Sequence, residues 1–474
     1  MRRYFRPLHT IAIALLLAAG LSACNDGNSG PVDPNPTDDW VVVLSGDILG
    51  NRTLSADSIY VVTGFLEVQP GATLTIPAGT ELISDLNTKG TIVTLRASGD
   101  QPSGRLVVNG TPAAPVTFQP GTEATAGSLS PAQVTSCSRG EGGGVILHGD
   151  APINQAVGLS EGVSRPFGGD NPTDDSGNIN YLVIVCGGVK VTPDNEINGL
   201  TLAGTGSGTG IHFVQAHLIA DDGFEWFGGT TNADHLISSG NDDDGLDCDF
   251  GWAGTVQFAV VVQDRDLANR GFECDNDADG SALTPITAPN FWNVTWVGAG
   301  VLVANGDVND GLFIRRNSAP VVRNAIVANF GNAGIVIDGS GSQAQATGGA
   351  LALSNILFFQ NKLLAPEAAA MQAASGCAAQ NIGFRTSGAY APAPPFTGGT
   401  TFLCADPNFG SVNLTDPING TTPNLVPQAG SPALVAANAA QPTGSGIVDA
   451  GARYLGAFNA ADWTAPWSAW VNAQ

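Results

Sequence analysis

The sequence predicts an all-β chain wound as a parallel β-helix, a solenoid closed by a C-terminal capping segment, and three observations lead there. Glycine (62 residues) and proline (29) are abundant while helix-like stretches are few, which favours many short strands joined by turns. A strand motif with one glycine recurs: "NGLTL" from Asn198, "DGFEW" from Asp222, "DGLDC" from Asp244, "RGFEC" from Arg270, "DGLFI" from Asp310 and "AGIVI" from Ala333. Its glycines, Gly199, Gly223, Gly245, Gly271, Gly311 and Gly334, are spaced 24, 22, 26, 40 and 23 residues apart, and the 40 contains an insertion, "DNDADGSALTPITAPN". Between them lie further strand-like runs rather than helices. Strands returning every ~23 residues fit coils of a β-helix. A leucine-rich repeat would show Leu-x-x-Leu-x-Leu with Asn, and a propeller blade needs about 40 residues with hairpin signals.

From the N-terminus, Arg2, Arg3 and Arg6 precede an apolar run, "IAIALLLAAG", that is too short to span a bilayer. "LSAC", Leu21 to Cys24, resembles the lipobox of bacterial lipoproteins. The resemblance implies a signal peptide over 1–23, removed before a lipidated Cys24 that anchors the chain to a membrane. Asn25 follows the cysteine, where aspartate is associated with inner-membrane retention, so the outer membrane is expected, on its periplasmic or extracellular face. Residues 24–39 are rich in Asn, Asp, Gly and Pro without apolar period; such a segment reads as a flexible tether. Residues 40–410 then read as the β-helix and 411–474 as C-terminal coils and a Trp-rich cap.

The mature chain, about 450 residues, is long enough for a large core. With 42 acidic and 18 basic residues over the whole sequence, it repels nucleic acid and anionic surfaces. Setting Cys24 aside, six cysteines remain: Cys137, Cys186, Cys248, Cys274, Cys377 and Cys404. An even number in an oxidising compartment permits three disulfides of undetermined connectivity.

"LEVQPGATLTIPAGTELI" and "RLVVNGTPAAPVTFQP" alternate apolar and polar at period two, as half-buried strands do. "HFVQAHLI", "DHLISSG" and "VQFAVVVQ" superpose at a 22-residue period, which places Val214, Leu236 and Phe258 in one column. "GATLTIPAGT", "GRLVVNGTPAAPVTF", "GGGVILHGDAPIN", "DDGFEWFGGT", "NDDDGLDCDFG" and the terminal "YLGAF" and "DWTAPW" together resemble a family of bacterial surface or secreted lipoproteins. That resemblance covers nearly all of the mature chain. It implies a right-handed parallel β-helix of the pectin-lyase-like kind and no particular activity.

Strand alternation assigns the acids. Phe224, Leu246, Phe272, Leu312 and Ile335 share one inward column, and Trp226, Cys248, Cys274, Ile314 and Ile337 another. The residues between them, Glu225, Asp247, Glu273, Phe313 and Val336, face outward, and the recurring glycine is expected to make the turn before each strand. Two carboxylates about 5 Å apart repel by roughly 3 kcal/mol at an effective dielectric of 20. A cation, an arginine or a proton must offset this. Asp222, Glu225, Asp244, Asp247 and Glu273 form an oxygen-rich set suited to Ca²⁺. The alternatives are a solvated acidic face trimmed by arginine and water, or catalytic carboxylates.

The functional expectation is a lipid-anchored cell-envelope protein with a binding or structural role towards polysaccharide or another surface ligand, with Ca²⁺ support. The competing class is a polysaccharide lyase or glycoside hydrolase acting on acidic polysaccharide, with Arg270 as the base of a lyase. "GLSEG", Gly158 to Gly162, matches a nucleophile-elbow pattern but lacks a following helix. "GTGSGTG", Gly204 to Gly210, reads as a coil turn. His212 and His217 have opposite parity and are not expected to ligate one metal. Cys248 and Cys274 stack on successive coils, as a disulfide or as two thiols. Trp463, Trp467 and Trp470 are spaced four and three, a helical stripe expected to cover the exposed last coil.

Overall fold

The computed structural model describes residues 41–122, 136–192, 195–300, 309–361, 384–386, 402–414, 418, 422–444, 446–470 and 472–473; the expected signal peptide, Cys24, the tether and Cys377 lie outside them. Nearly all described strands join one parallel sheet that winds from coil to coil. The period-two runs near the N-terminus become the strands Ile59–Val68, Thr73–Pro77, Glu81–Asp85, Arg105–Asn109 and Val116–Gly121. The only α-helix among the described residues is Gly339–Gly348.

Two stacks carry the middle of the chain. The long-strand stack runs through Gly177–Val185, Gly210–His217, Asn232–Ser239, Thr255–Val262, Asn290–Val297, Val321–Ala328 and Ala352–Phe359. The short-strand stack runs through Leu200–Ala203, Phe224–Phe227, Leu246–Asp249, Arg270–Cys274, Asp310–Ile314 and Ile335–Ile337. In the latter, Phe224, Leu246, Phe272, Leu312 and Ile335 are register partners, as the repeat predicts. They and the column of Trp226, Cys248, Cys274 and Ile314 are fully buried. Core rings pack between coils: Trp226 stacks on Trp252 at 4.4 Å and Phe272 meets Phe291 edge-on at 4.8 Å. A disulfide joins Cys248 to Cys274 inside the lumen, a second joins Cys137 to Cys186, and Cys404 is also disulfide-bonded.

Two details differ from the expectation. The recurring glycines are not there to turn the chain, since none of Gly199, Gly223, Gly245, Gly271 and Gly311 has a positive φ. They are there for close approach. A Cβ on Gly245 would lie 2.4 Å from Val261 and 2.8 Å from the Gly271 carbonyl, and one on Gly311 2.3 Å from the Gly334 carbonyl. The column of Val214 and Leu236 continues with Ala259, not Phe258. The coil between those two strands is one residue longer than the 22-residue period, and one residue of slip changes a side chain's direction.

Phe258 falls instead on a corner. Each long strand bends at a residue with left-handed backbone: Tyr181, Phe213, His235, Phe258, Asn293, Asn324 and Asn355, with φ between 51° and 62°. Asparagine tolerates this region; the aromatic corners stack, with 4.3 Å between Tyr181 and Phe213 and 4.2 Å between Phe213 and His235.

The C-terminal segment lies along this corner column rather than across the last coil. Asn355 donates to the Asn438 carbonyl, Asn324 pairs with both peptide groups of Ala440, and Asn293 donates to the Tyr454 carbonyl. Further back, Trp463 meets His235 edge-on at 4.9 Å and Trp467 meets Tyr181 at 5.6 Å. The tail therefore returns along the side of the coils. The amides and rings of the corners give its peptide groups and tryptophans specific partners.

Candidate functional site

The acid column sits where the alternation puts it, facing out of the lumen: Glu225 pairs in register with Asp247, and Asp247 with Glu273, followed by Phe313 and Val336. It is not a solvated face. Glu225 is 6% exposed and Glu273 5%, and Asp247 between them is half-buried.

The acids before the glycines have a backbone role. Asp222 accepts the Asp244 N–H at 2.8 Å, Asp244 accepts the Arg270 N–H at 2.7 Å, and Asp310 accepts the Ala333 N–H at 2.9 Å. Asn198 heads the same column and accepts the Asp222 N–H at 3.2 Å. Each side chain thus ties its turn to the next coil with one oxygen. Asp247 likewise spends one oxygen on the Cys248 N–H, at 2.5 Å.

Among the described residues, three groups of carboxylates bring one oxygen each within 4.8 Å of one another: Asp222 with Glu225 and Asp247, Asp222 with Asp243 and Asp244, and Asp244 with Asp247 and Glu273. Together they contain all five residues singled out in the sequence, plus Asp243. The donor set is oxygen only, and two oxygens bound to one cation at 2.3–2.6 Å can be no more than about 5 Å apart. The residues therefore fit a hard divalent cation.

The electrostatics agree that something is wanting. Burial first, then the neighbouring carboxylates, hold Asp222, Glu225, Asp244 and Asp247 well above the usual carboxylate range. Asp221 is pushed up to about 8 for the same reasons, and burial raises Glu273 to about 7 against the pull of Arg270 and Arg315. The cluster therefore holds its protons more tightly than free carboxyls do, and a cation can displace them.

Its two ends are unlike. Arg270 Nη1 lies 2.5 Å from Glu273 Oε2 and 3.9 Å from Asp244 Oδ2, and Arg315 pairs with Glu273 and Asp275. Both guanidinium groups also lie over the Phe313 ring, Arg270 at 4.2 Å and Arg315 at 5.3 Å. At the other end Glu225 accepts from the neutral Asn198 amide. Lys190 reaches only the flanking Asp221 and Asp242, at 4.0 and 3.5 Å.

Arg270 does not have the environment of a base. Burial would lower its pKa, but Asp244 and Glu273 more than offset this and the net shift is upward. The guanidinium stays a cation that pins Glu273.

A family model described as a pectate-lyase-like beta helix domain matches residues 46–396. The chain belongs to that family. No curated protein and no solved structure matches it. Membership of the pectate-lyase-like β-helix family agrees with the parallel coils, and the fold by itself leaves the chemistry open.

Sequence reasoning missed Asn198, Arg315 and Lys190, while Asp243 belongs to the run of acids, Asp242 to Asp244, that the sequence already crowds at this turn. Asn198 was visible in principle, because it occupies the repeat position of Asp222 and Asp244. Arg315 lies two residues beyond Phe313, so it shares its outward parity. Lys190 comes from a separate hairpin, Val189–Thr192 with Asn195–Ile197, and no repeat position announces it. The opposite parity expected of His212 and His217 does not hold, because the left-handed corner at Phe213 breaks the alternation: Ile211, Val214 and Ala216 face the core and both histidines lie on the outer side. They still keep separate partners, since His212 and His235 bond Asp234, at 2.6 and 2.7 Å, while His217 bonds Ser239.

Proposed function

We propose that this is a lipid-anchored cell-envelope protein that holds Ca²⁺ in its carboxylate column and uses that site to bind polysaccharide. The observation that carries this reading is the convergence of Asp222, Glu225 and Asp247 without an arginine among the described residues at that end. A like-charged triad in which Asp222 and Glu225 are buried, and only the half-buried Asp247 feels a more distant arginine, Arg315, is costly unless a proton or a cation shares it. The Glu273 end, already held by two arginines, has less need of a metal. Asp222, Glu225, Asp247 and the adjoining Asp244 are therefore the ligands. Ca²⁺ bound there would present positive charge to the anionic groups of a glycan. Disulfides among the coils fit an oxidising compartment, and the lipobox-like "LSAC" supplies the anchor at Cys24.

Binding to the folded chain alone stabilises by RT ln(1 + [L]/Kd), about 2.7 kcal/mol at a hundredfold excess over Kd. Ca²⁺ should raise the melting temperature, release protons on binding, and increase retention on a glycan array. Melting that is indifferent to millimolar Ca²⁺ at constant ionic strength would sink the cation site. Separately, Cys24→Ser should move the protein from the membrane to the soluble fraction of lysed cells; unchanged fractionation removes the anchor.

A further inference from the structure

"GLSEG" has a partner that the sequence does not reveal. Gly158–Leu159 pairs antiparallel with Pro166–Phe167, and residues 160–165 close that hairpin. Ser160 N–H donates to the Arg165 carbonyl and Ser164 N–H to the Ser160 carbonyl, both at 3.0 Å. Gly162 N–H is held by Asn195 Oδ1 at 2.8 Å. This turn sets Ser160 Oγ 2.6 Å from Nε2 of His148, the last residue of the strand Val145–His148.

The other ring nitrogen, Nδ1, lies 2.7 Å from the Thr94 carbonyl oxygen. A carbonyl only accepts, so in the neutral ring Nδ1 carries the proton and Nε2 the lone pair. Ser160 O–H then donates to Nε2. The ring is neutral: full burial pushes it down to about 4, against the opposing Thr94 hydrogen bond. The arrangement has a hydroxyl on a base, a base oriented by a third group, and that base unprotonated at neutral pH. A backbone carbonyl stands where a carboxylate more often does.

We propose that Ser160 and His148 form a nucleophile–base pair that hydrolyses small acyl esters through an acyl-serine intermediate. Ser160 Oγ bonds to the acyl carbonyl carbon and its proton passes to His148 Nε2. The tetrahedral adduct collapses, the bond to the alcohol oxygen breaks, and that oxygen takes the proton from Nε2. Water then adds to the acyl-serine, giving its proton to Nε2. The carbon–Oγ bond breaks, Oγ recovers the proton, and a carboxylic acid leaves. The net change is ester plus water to acid plus alcohol.

The acyl group must be short. His148 is fully buried and Ser160 only 3% exposed, with the buried Phe167 ring 6.4 Å from the imidazole. The turn must therefore part from the sheet to admit even an acetyl group. Glu161, beside the nucleophile, is among the charges that act on Glu225, so the turn adjoins the acid column. A glycan held there would bring its O-acyl groups to the serine. Only the identity of the alcohol rests on the cation reading; the nucleophile–base pair does not.

The test is covalent. The purified chain is treated with a fluorophosphonate and with p-nitrophenyl acetate, in chelator so that the cation site plays no part. The expected adduct maps to Ser160 by mass spectrometry and is absent from Ser160→Ala. His148→Gln should slow labelling by roughly 10²–10⁴-fold. The labelling rate should be flat near neutral pH and fall through about pH 4 as His148 protonates. A folded wild-type chain that takes up neither probe at Ser160 overturns the proposal and makes the pair a structural tether. That arm needs no variant to fold. Equal labelling of Ser160→Ala overturns it as well.

Discussion

Two columns of the solenoid repeat one position on successive coils and behave in opposite ways. The corner column, Tyr181 to Asn355, places ring on ring and then amide after amide. Stacked rings attract, and an amide carries both a donor and an acceptor for whatever lies beside it. This column is satisfied within the chain, by its own stacking and by the returning tail. The acid column, Glu225 to Glu273, places carboxylate beside carboxylate. Repetition there multiplies a repulsion, and only its Glu273 end is neutralised by arginine. A solenoid amplifies whatever chemistry a position carries. A column that gains from repetition is explained by stability, whereas one that loses by it points to a ligand.

The largest expected effect tests the satisfied column. Phe213→Ala removes a ring held between Tyr181 and His235 and touching Trp467. It should cost about 3 kcal/mol in chemical denaturation. A loss below about 1 kcal/mol would show that the stack adds little.

The acid column should respond in the opposite direction. Glu225→Gln with Asp247→Asn removes two carboxyls that must either hold a proton or repel their neighbours, and should stabilise the calcium-free chain by about 2 kcal/mol near neutral pH, while abolishing the Ca²⁺ response. Both carboxyls are raised in the folded state by burial and by neighbouring carboxylates. Their unfolded values lie near 4. A raised carboxyl contributes stability below its unfolded pKa and loses it as pH climbs through the folded value. The stability difference between double variant and wild type should thus be small at pH 4 and widen as the pH rises above the ordinary carboxylate range. Calorimetric melting in chelator checks the sign. A difference that narrows with pH would mean that these carboxylates are stabilised as anions.

The smallest effect concerns the tail. Gln215 exchanges two hydrogen bonds with Ala469, at 2.7 and 2.8 Å. Gln215→Ala should cost about 1 kcal/mol and speed limited proteolysis of the C-terminal segment. An unchanged cleavage rate would show that the tail is held by its tryptophans alone.

Much of this was legible because a β-helix is nearly one-dimensional. Each coil meets its neighbours at a fixed offset, so a repeat read along the chain becomes a column in space. The inward Phe224, Leu246 and Phe272 and the outward Glu225, Asp247 and Glu273 follow from that offset and from strand alternation. Phe258 was misplaced because a single extra residue in one coil is invisible to a period averaged over several.

What the sequence by itself determined is therefore the local and periodic part: parallel coils, the core columns, and five acids gathered on one side of the short-strand stack. Hydrophobic alternation and repeat length are sufficient causes of these. Only the tertiary structure decided what lies beside each column. It showed that the acids are covered, that arginines attend one end, that the Trp-rich tail lies along the corners, and that His148 meets Ser160. Those contacts join segments far apart in sequence, or on different turns, with no period relating them. Their geometry follows from the path of the folded chain, which no local spacing encodes.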